Sequence, residues 1–519
     1  MTNKPDLKTT AGKIEDLDRR LTESVQPLGG DAVDAGTDAG QLTARTRIDA
    51  LLDAGSFVET DALARHRSVD FDREHNKPLT DGVVTGFGTV DGRKVCVFSQ
   101  DESIFEGTLG EVYGEKIIKI YDLALKTGVP IVGIHASAGP RVQEGIVTLG
   151  MYGRIMARAT QASGLIPQVS VVVGDTEGMA SFLPGWSDII VMTSQAALHQ
   201  ARPSVVSQVF GEESTAAELG GAEVHSDNGT THLVAESDEV ALGLARDVLS
   251  YLPVNNRAEA PRTEADIMAG SIADNVNDED KKLLSIIPDE AAAAYDMRDV
   301  VDNVVDAQTF FELNGRFADN VLTGFARIEG RSVGIVANQP LANAGALDSA
   351  AAEKAARFIR TCDAFNTPVV TFVDSPGFIP SPEEEKAGLV RRATKLAYAY
   401  AEASVGKITV ITRKALGPAY VFMGSKDLGA DLAYGWPTAE IAVAQTSQAA
   451  EAIYGADATD EHKDALEEKF MGPYQAAERG MVDAVISPDT TRGHLIEGLR
   501  LLERKVVPAA MKKHGNITF

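Results

Sequence analysis

The stretch of this chain best placed for chemistry is a turn and not a set of acids and bases. An apolar run from Ile408 to Ile411 predicts a short buried strand, which leads into Gly417-Pro418-Ala419, after which Tyr420 to Met423 open a helix. A strand that feeds a tight turn at a helix start leaves backbone N–H groups without partners, and such groups hold oxyanions. Pro418 has no N–H to offer. A similar turn lies at Gly174-Asp175-Thr176-Glu177-Gly178-Met179-Ala180. Two more loops follow β-branched runs: Ala136-Ser137-Ala138-Gly139-Pro140-Arg141 and Asp374-Ser375-Pro376-Gly377-Phe378-Ile379-Pro380-Ser381. Loops of this kind meet ligands at the C-terminal ends of parallel strands. Glycine and proline in any one of them need mark no more than a turn, but four at matching places point to a pair of ligand sites.

No other constellation competes. The nine histidines are scattered, and His135, which follows Ile131 to Ile134, is expected to be a packed core residue. Arg391, Arg392 and Lys395 form a basic group expected on a solvated helix face. There is no Gly-x-x-x-x-Gly-Lys phosphate loop and no cluster with metal-ligand spacing, so no metal is expected on this chain.

The bulk sequence sets the frame for these loops. At 519 residues and 44% hydrophobic, the chain is long enough for roughly two to four domains. Its net charge of -26, with 75 acidic against 49 basic residues, argues against nucleic acid or an anionic membrane as partner. Cys96 and Cys362 alone exclude a disulfide framework, and are expected as buried reduced thiols of a cytoplasmic protein. The first residues carry no apolar run, and no apolar stretch reaches the ~18 residues of a membrane span.

The body of the chain is duplicated. The segment Asp81-Gly82-Val83-Val84-Thr85-Gly86-Phe87 predicts the first strand of a hairpin turning at Asp91-Gly92, and a second copy begins at Asn320-Val321-Leu322-Thr323-Gly324-Phe325. Gly86 and Gly324, Glu115 and Glu353, Lys116 and Lys354, and Pro130 and Pro368 are each 238 apart. Gly178 and Gly417, Ala180 and Ala419, Gly185 and Gly424, and Asp188 and Asp427 are each 239 apart. A register held over about a hundred residues with one slip is a duplicated domain. In each copy helices (115–127 and 350–365) precede apolar runs at Pro130 to Ile134 and Pro368 to Val373, which predicts parallel strands with helical crossovers, an α/β fold twice over. The expected organisation is an N-terminal helix and linker over 1–40, a first domain over 41–260, an acidic linker over 261–282, and a second domain over 283–519. Within it, residues 10–25 predict an amphipathic helix with Ile14, Leu17, Leu21 and Val25 on one stripe, 29–40 a loop, 42–52 a helix, 459–469 a charged helix and 494–507 a terminal helix.

These residues resemble a family, the carboxyltransferase (β) subunits of biotin-dependent acyl-CoA carboxylases of the propionyl-CoA or acetyl-CoA type. The matching stretches include Phe98-Ser99-Gln100-Asp101, Leu109-Gly110-Glu111-Val112-Tyr113-Gly114-Glu115-Lys116, Glu218-Leu219-Gly220-Gly221-Ala222, Gly334-Ile335-Val336-Ala337-Asn338-Gln339-Pro340, Phe372-Val373-Asp374-Ser375-Pro376-Gly377-Phe378 and Ala476-Ala477-Glu478-Arg479-Gly480, and they run from about residue 40 to the end. The resemblance implies two tandem crotonase-like (ββα superhelix) domains, a hexamer of paired chains, and transfer of CO2 from carboxybiotin on a biotinylated α subunit to the α-carbon of an acyl-CoA. It also implies two oxyanion holes of backbone N–H groups, at Gly178 and Met179 in one copy and Gly417, Pro418 and Ala419 in the other, with Ala138, Gly139, Pro140, Arg141, Ser375, Pro376, Gly377 and Phe378 in the substrate-binding loops. A partner β subunit and a small accessory subunit belong to the same expectation.

Here the chain departs from its family. The family has Gly-Pro-Cys-Ala-Gly-Gly-Ala in the first turn and Lys-Ala-Tyr-Gly-Gly-Ala-Tyr in the second, so Met179 and Pro418 each stand where a glycine is usual. Glu106 and Ala138 replace other glycines, and Ala444-Gln445-Thr446-Ser447-Gln448 replaces a glycine-rich segment. The sequence therefore supports two expectations, an active carboxyltransferase with a pocket altered for an unusual or long acyl chain, and a catalytically weakened or inactive structural or regulatory β subunit in a hetero-oligomeric, long-chain acyl-CoA carboxylase. A crotonase-type hydratase is a third class, for which Glu177 is the available carboxylate.

Overall fold

The computed structural model describes residues 5–25, 42–290, 292–508 and 511–518; the loop expected over 29–40 lies outside them. The chain divides into two compact units, Met1–Asn256 and Arg257–Phe519.

Unit 1 holds an eight-stranded sheet made of β1 (Val58–Thr60), β2 (Val83–Val90), β3 (Arg93–Gln100), β4 (Ile131–Ser137), β5 (Gln168–Glu177), β6 (Ile189–Thr193), β7 (Leu198–His199) and β8 (Leu233–Ala235). The order is β1-β2-β3-β4-β5-β6-β8, with β7 paired to β5. β1, β2 and β3 pair antiparallel and the rest parallel. Asp91 and Gly92 both have positive φ, as the tight two-residue turn between β2 and β3 requires. Every residue of β4 is buried, which is why its sequence is continuously apolar and not alternating. Helix α1 (Thr10–Val25) precedes α2 (Ala44–Leu51), which Thr43 caps; α3 (Glu111–Thr127) and α4 (Val147–Ala162) are the crossovers. α3 turns Tyr113, Ile117, Ile120, Tyr121 and Ala124 onto a core shared with Phe98, Ile131, Tyr152 and Ile155. The apolar stripe of α1 forms as expected but stays open in this chain: Ile14, Leu17, Leu21 and Val25 are exposed.

Unit 2 repeats the plan with β9 (Phe311–Leu313), β10 (Val321–Ile328), β11 (Arg331–Asn338), β12 (Val369–Ser375), β13 (Lys407–Leu416), β14 (Leu432–Gly435), β15 (Glu440–Ala442) and β16 (Ala484–Val485). Its order is β16-β14-β13-β12-β11-β10-β9, with β15 paired to β13. The crossovers are α5 (Ser349–Ala364), capped by Asp348, and α6 (Leu389–Glu402). The stretch expected as an acidic linker packs on this unit. The Thr263 N–H donates to Gly330 O, the Met268 N–H to Glu329 Oε1, and the Met268 side chain packs against the core. The terminal helix spans Thr491–Leu502 and not 494–507, because Lys505 closes a turn onto Leu502 O and its ammonium reaches Val405 O and Asp431.

The duplication extends to a buried cation. Lys116 Nζ donates to Thr80 O (2.9 Å) and Val83 O, and Lys354 Nζ to Asn314 O (2.9 Å), Phe317 O (2.8 Å) and Ala318 O (3.2 Å). Burial pulls both ammonium groups down to about 8. Each ties its crossover helix to the segment leading into the hairpin, so the matched lysines of the sequence are structural.

Candidate active site

In unit 1 the loop after β4 and the turn after β5 meet. Ser137 pairs in register with Thr176, and a Cβ placed on Gly139 would lie 3.1 Å from Glu177 O. Pro140 bridges to Leu109 and comes within reach of Gly178. Gly178 takes φ +60, a conformation that favours glycine, and starts a 3-10 segment, Gly178–Trp186, whose first N–H groups have no intrahelical acceptor. Met179 keeps its N–H, and its half-buried side chain packs against the unit 1 core. The added side chain is thus turned away from the turn.

Unit 2 brings the corresponding residues together. Ser375 pairs with Ala415, Phe378 bridges to Leu347, and a Cβ on Gly377 would lie 3.8 Å from Leu416 O. Pro376 is half-buried in the same loop, and the Phe378 ring meets Phe422 edge-on at 5.2 Å. Gly417 sits at φ 55, ψ -130, outside the range of residues with a side chain, and α7 (Pro418–Phe422) begins directly after it. The helix starts two residues earlier than expected because proline at the first helical position is preorganised there and gives up no intrahelical bond. The Gly417 N–H donates to Ala442 O at 2.8 Å and Pro418 has none, so the buried Ala419 supplies the leading N–H of this turn.

The side chains around these loops are mostly committed. Arg141 is buried and pairs with Asp81 (2.7 Å) and Glu144 (2.8 Å), donates to Asp81 O and Thr108 O, and lies over the Phe105 ring. It holds the 138–141 loop from behind. Burial pushes the Asp81 carboxyl up even beside that guanidinium. Glu177 pairs with Arg202 at 2.6 Å, and Arg202 also donates to Ala138 O at 3.1 Å, so the carboxylate proposed for a hydratase is neutralised and straps the two loops. Arg392 and Lys395 both bind Glu353, at 2.6 Å each, and act within unit 2. Cys96 and Cys362 are free and buried, and burial pushes the Cys96 thiol up to about 12, which keeps it protonated. Among the described residues no group of three or more His, Cys, Asp or Glu is placed to hold a metal, and no helix is long and apolar enough to cross a membrane.

His135 is the core residue expected. Its Nε2 shares a hydrogen bond with Ser170 Oγ at 2.9 Å, its ring meets Phe98 edge-on at 5.4 Å, and burial pulls its pKa down to about 3. It is neutral in the fold but charges near 6.5 when unfolded, so its stabilising contribution is full above 6.5 and is lost as pH falls toward 3. Below 6.5 the loss is about 1.4 kcal/mol per pH unit. His135→Gln is expected to flatten this acid limb by that slope in urea midpoints taken between pH 6.5 and 5.

Two features escaped the sequence reading. Asp374, 0% exposed, pairs with Arg413 (3.0 Å) and accepts the Lys414 N–H (3.1 Å), locking the end of β12 to the strand that enters the turn. Its signal was a carboxylate at the end of an apolar run, with Arg413 in the next apolar strand. The second is the backbone of Glu106, at φ 56, which accepts the Ala138 N–H on its carbonyl at 3.0 Å. The left-handed conformation costs a side-chain-bearing residue about 1–2 kcal/mol, and glycine's greater unfolded freedom offsets part of the relief. Glu106→Gly is expected to raise stability by about 0.5–1 kcal/mol, read as a higher urea midpoint.

Beside the second turn lies a cavity of about 940 Å³, lined by Gly417, Pro418, Val421, Ile441, Val443 and Ile453 among others. A smaller one of about 470 Å³ in unit 1 is lined by Ser181, Phe182, Gly185, Trp186 and Leu198, beyond the first turn.

Residues 36–517 match the model of the carboxyl transferase domain family. The chain is 50% identical over 527 residues to the biotin-dependent acetyl-/propionyl-coenzyme A carboxylase beta5 subunit of Mycobacterium tuberculosis (strain H37Rv), covering 99% of this chain and 96% of that protein. It is also 50% identical over 531 residues to the propionyl-CoA carboxylase beta chain of Saccharopolyspora erythraea, covering 99% and 97%. A crystal structure of transcarboxylase 12S, described as a hexamer assembly with methylmalonyl-coenzyme A and methylmalonic acid bound, superposes with a TM-score of 0.94 at 40% identity over 98% of this chain and 99% of that one. The two α/β units are thus of the crotonase-like kind, and the chain belongs to the carboxyl transferase family as a β-type subunit of the acyl-CoA carboxylases.

Proposed function

We propose that this chain moves CO2 from carboxybiotin, carried on a biotinylated α subunit, to the α-carbon of an acyl-CoA. The observation that supports it best is the repeated pairing of a strand-to-helix turn with a neighbouring loop at the C-terminal end of each parallel sheet. Two oxygens turn negative in such a transfer, that of the thioester as an enolate and that of the biotin ureido group, and one turn per unit answers that need. Bound carboxybiotin supplies the activated carboxyl group and a base for the α-proton. On this reading the N–H groups of Gly178 and Met179 in one unit and of Ala419 in the other face oxyanions. Ala138, Gly139, Pro140, Ser375, Pro376, Gly377 and Phe378 form the walls, while Arg141 supports its loop from the inside. The assembly is a hexamer, homomeric or with a second β subunit, joined by the α subunit and a small accessory subunit in the cytoplasm.

A weakened β subunit is a second reading, favoured by the loss of donors at the second turn, where Pro418 has no N–H and that of Gly417 is already engaged. One experiment separates the two. The full chain, a biotinylated α subunit, ATP, labelled bicarbonate and an acyl-CoA are expected to give labelled carboxylated product. Incorporation only after a second β homologue is added would favour the weakened subunit, and none in either case would overturn the proposed activity.

A further inference from the structure

The two turns are copies, yet the charges beside them are not. Glu177, which precedes Gly178, stands where Leu416 precedes Gly417, 239 residues on. Short strands flank both turns in one register, with His199 of β7 beside Glu177 and Ala442 of β15 beside Leu416. Three residues past each of those partners, Arg202 and Gln445 precede matching helices, Pro203–Phe210 and Thr446–Tyr454. Unit 1 therefore has a carboxylate and a guanidinium, paired at 2.6 Å, where unit 2 has an apolar side chain and an amide. The shape of the turn does not require the pair, because Gly178 and Gly417 hold nearly the same φ, 60 and 55, with and without it. The pair is also lopsided: the Glu177 side chain is 17% exposed and that of Arg202 56%. Both contacts of the guanidinium, with Glu177 Oε1 and with Ala138 O at 3.1 Å, are made by Nη2, which leaves its Nε and Nη1 donors without a partner among the described residues. A cation with donors to spare thus sits where the 138–141 loop meets the Gly178 turn.

We propose that Arg202 binds the carboxylate that is being transferred, and that Glu177 is its resident competitor. The inference rests on the carboxyltransferase reading above. A thioester or ureido oxygen is neutral until the reaction begins, and backbone N–H groups suffice for the charge that then develops. The carboxyl group is charged both before and after its transfer, and a guanidinium answers a standing charge with paired N–H groups that match two carboxylate oxygens. Glu177 shows that a carboxylate fits against this head group, and it holds the arginine over the loop junction through Nη2 while Nε and Nη1 stay available. Arg141, the other guanidinium of the loop, cannot serve, because it is buried and committed to Asp81 and Glu144.

A carboxylate site and a mere strap between two loops predict different signs. Propionyl-CoA and methylmalonyl-CoA differ by one carboxylate, and calorimetry gives the affinity of the full chain for each. The KM for the carboxylated, biotinylated α subunit is measured beside it, in transfer to propionyl-CoA. R202Q is expected to lower the methylmalonyl-to-propionyl affinity ratio at least about tenfold, and E177Q, which leaves the cation unshared, to raise it about threefold or more. R202K keeps the charge without the fork and is expected to fall between wild type and R202Q. Opposite shifts confined to the KM for the carboxylated α subunit, up in R202Q and down in E177Q, would uphold the inference and place the bound carboxylate on biotin. A strap is broken alike by either variant, so R202Q and E177Q that move every value in one direction, or move none, would overturn the inference and leave the carboxyltransferase reading standing. Opposite shifts in the affinity ratio with no acyl-CoA carboxylated would uphold the carboxylate site and sink the catalytic reading.

Discussion

Pro418→Ala is expected to raise kcat about a hundredfold in the reconstituted complex. A single backbone donor in an oxyanion hole is worth about 10²–10³ in kcat. The second turn lacks one, since the Gly417 N–H is held by Ala442 O at 2.8 Å and Pro418 supplies none. Alanine restores that N–H beside Ala419 and keeps the first turn of α7 helical; the loss of proline costs at most about 1 kcal/mol through the unfolded chain. The matched change in the other copy behaves differently. The Met179 side chain packs against the unit 1 core and its N–H is intact, so Met179→Gly is expected to cost about 1–2 kcal/mol of stability by lost packing, with kcat little changed. Initial rates with saturating acyl-CoA, set beside urea midpoints, check both. An unchanged rate in Pro418→Ala would mean that the N–H of residue 418 does not face a charge that develops in the reaction.

Arg141→Met is expected to cost about 3–5 kcal/mol of stability, the typical loss when one partner of a buried ion pair is removed. Asp81, 0% exposed, and Glu144 would both lose their cation, and the carbonyls of Asp81 and Thr108 their donor. Burial already pushes the Asp81 carboxyl up, and without the guanidinium it rises further. The penalty should therefore be largest near pH 8 and shrink as acid neutralises Asp81. Urea denaturation across that range measures it. A variant with wild-type stability and a raised KM for acyl-CoA would instead make Arg141 a substrate contact.

Arg141 also shows where reading a sequence stops. Its place in a glycine-proline loop suggested a ligand contact, but its partner Asp81 lies 60 residues away, and nothing local says that the side chain turns inward. The paired loops themselves were legible, because a duplication with a fixed offset reports which turns occupy equivalent places, and continuous apolar runs such as Ile131 to Ile134 report burial on both faces of a parallel sheet. His135 was legible for the same reason.

The sequence by itself determined the two α/β copies, the four loops at their strand ends and the family, because these depend on periodicity and on motifs close together in the chain. Only the tertiary structure decided what the two lost glycines mean. Met179 and Pro418 are one position of the repeat, yet one side chain finds a core to pack against and the other takes away a donor beside a Gly417 N–H already held by Ala442. The cavity beside the second turn is of the same kind, since its volume is set by side chains from segments dozens of residues apart, from Val421 to Phe470. Backbone chemistry can be read residue by residue; which N–H is free and which space is empty depends on what the rest of the fold places beside it.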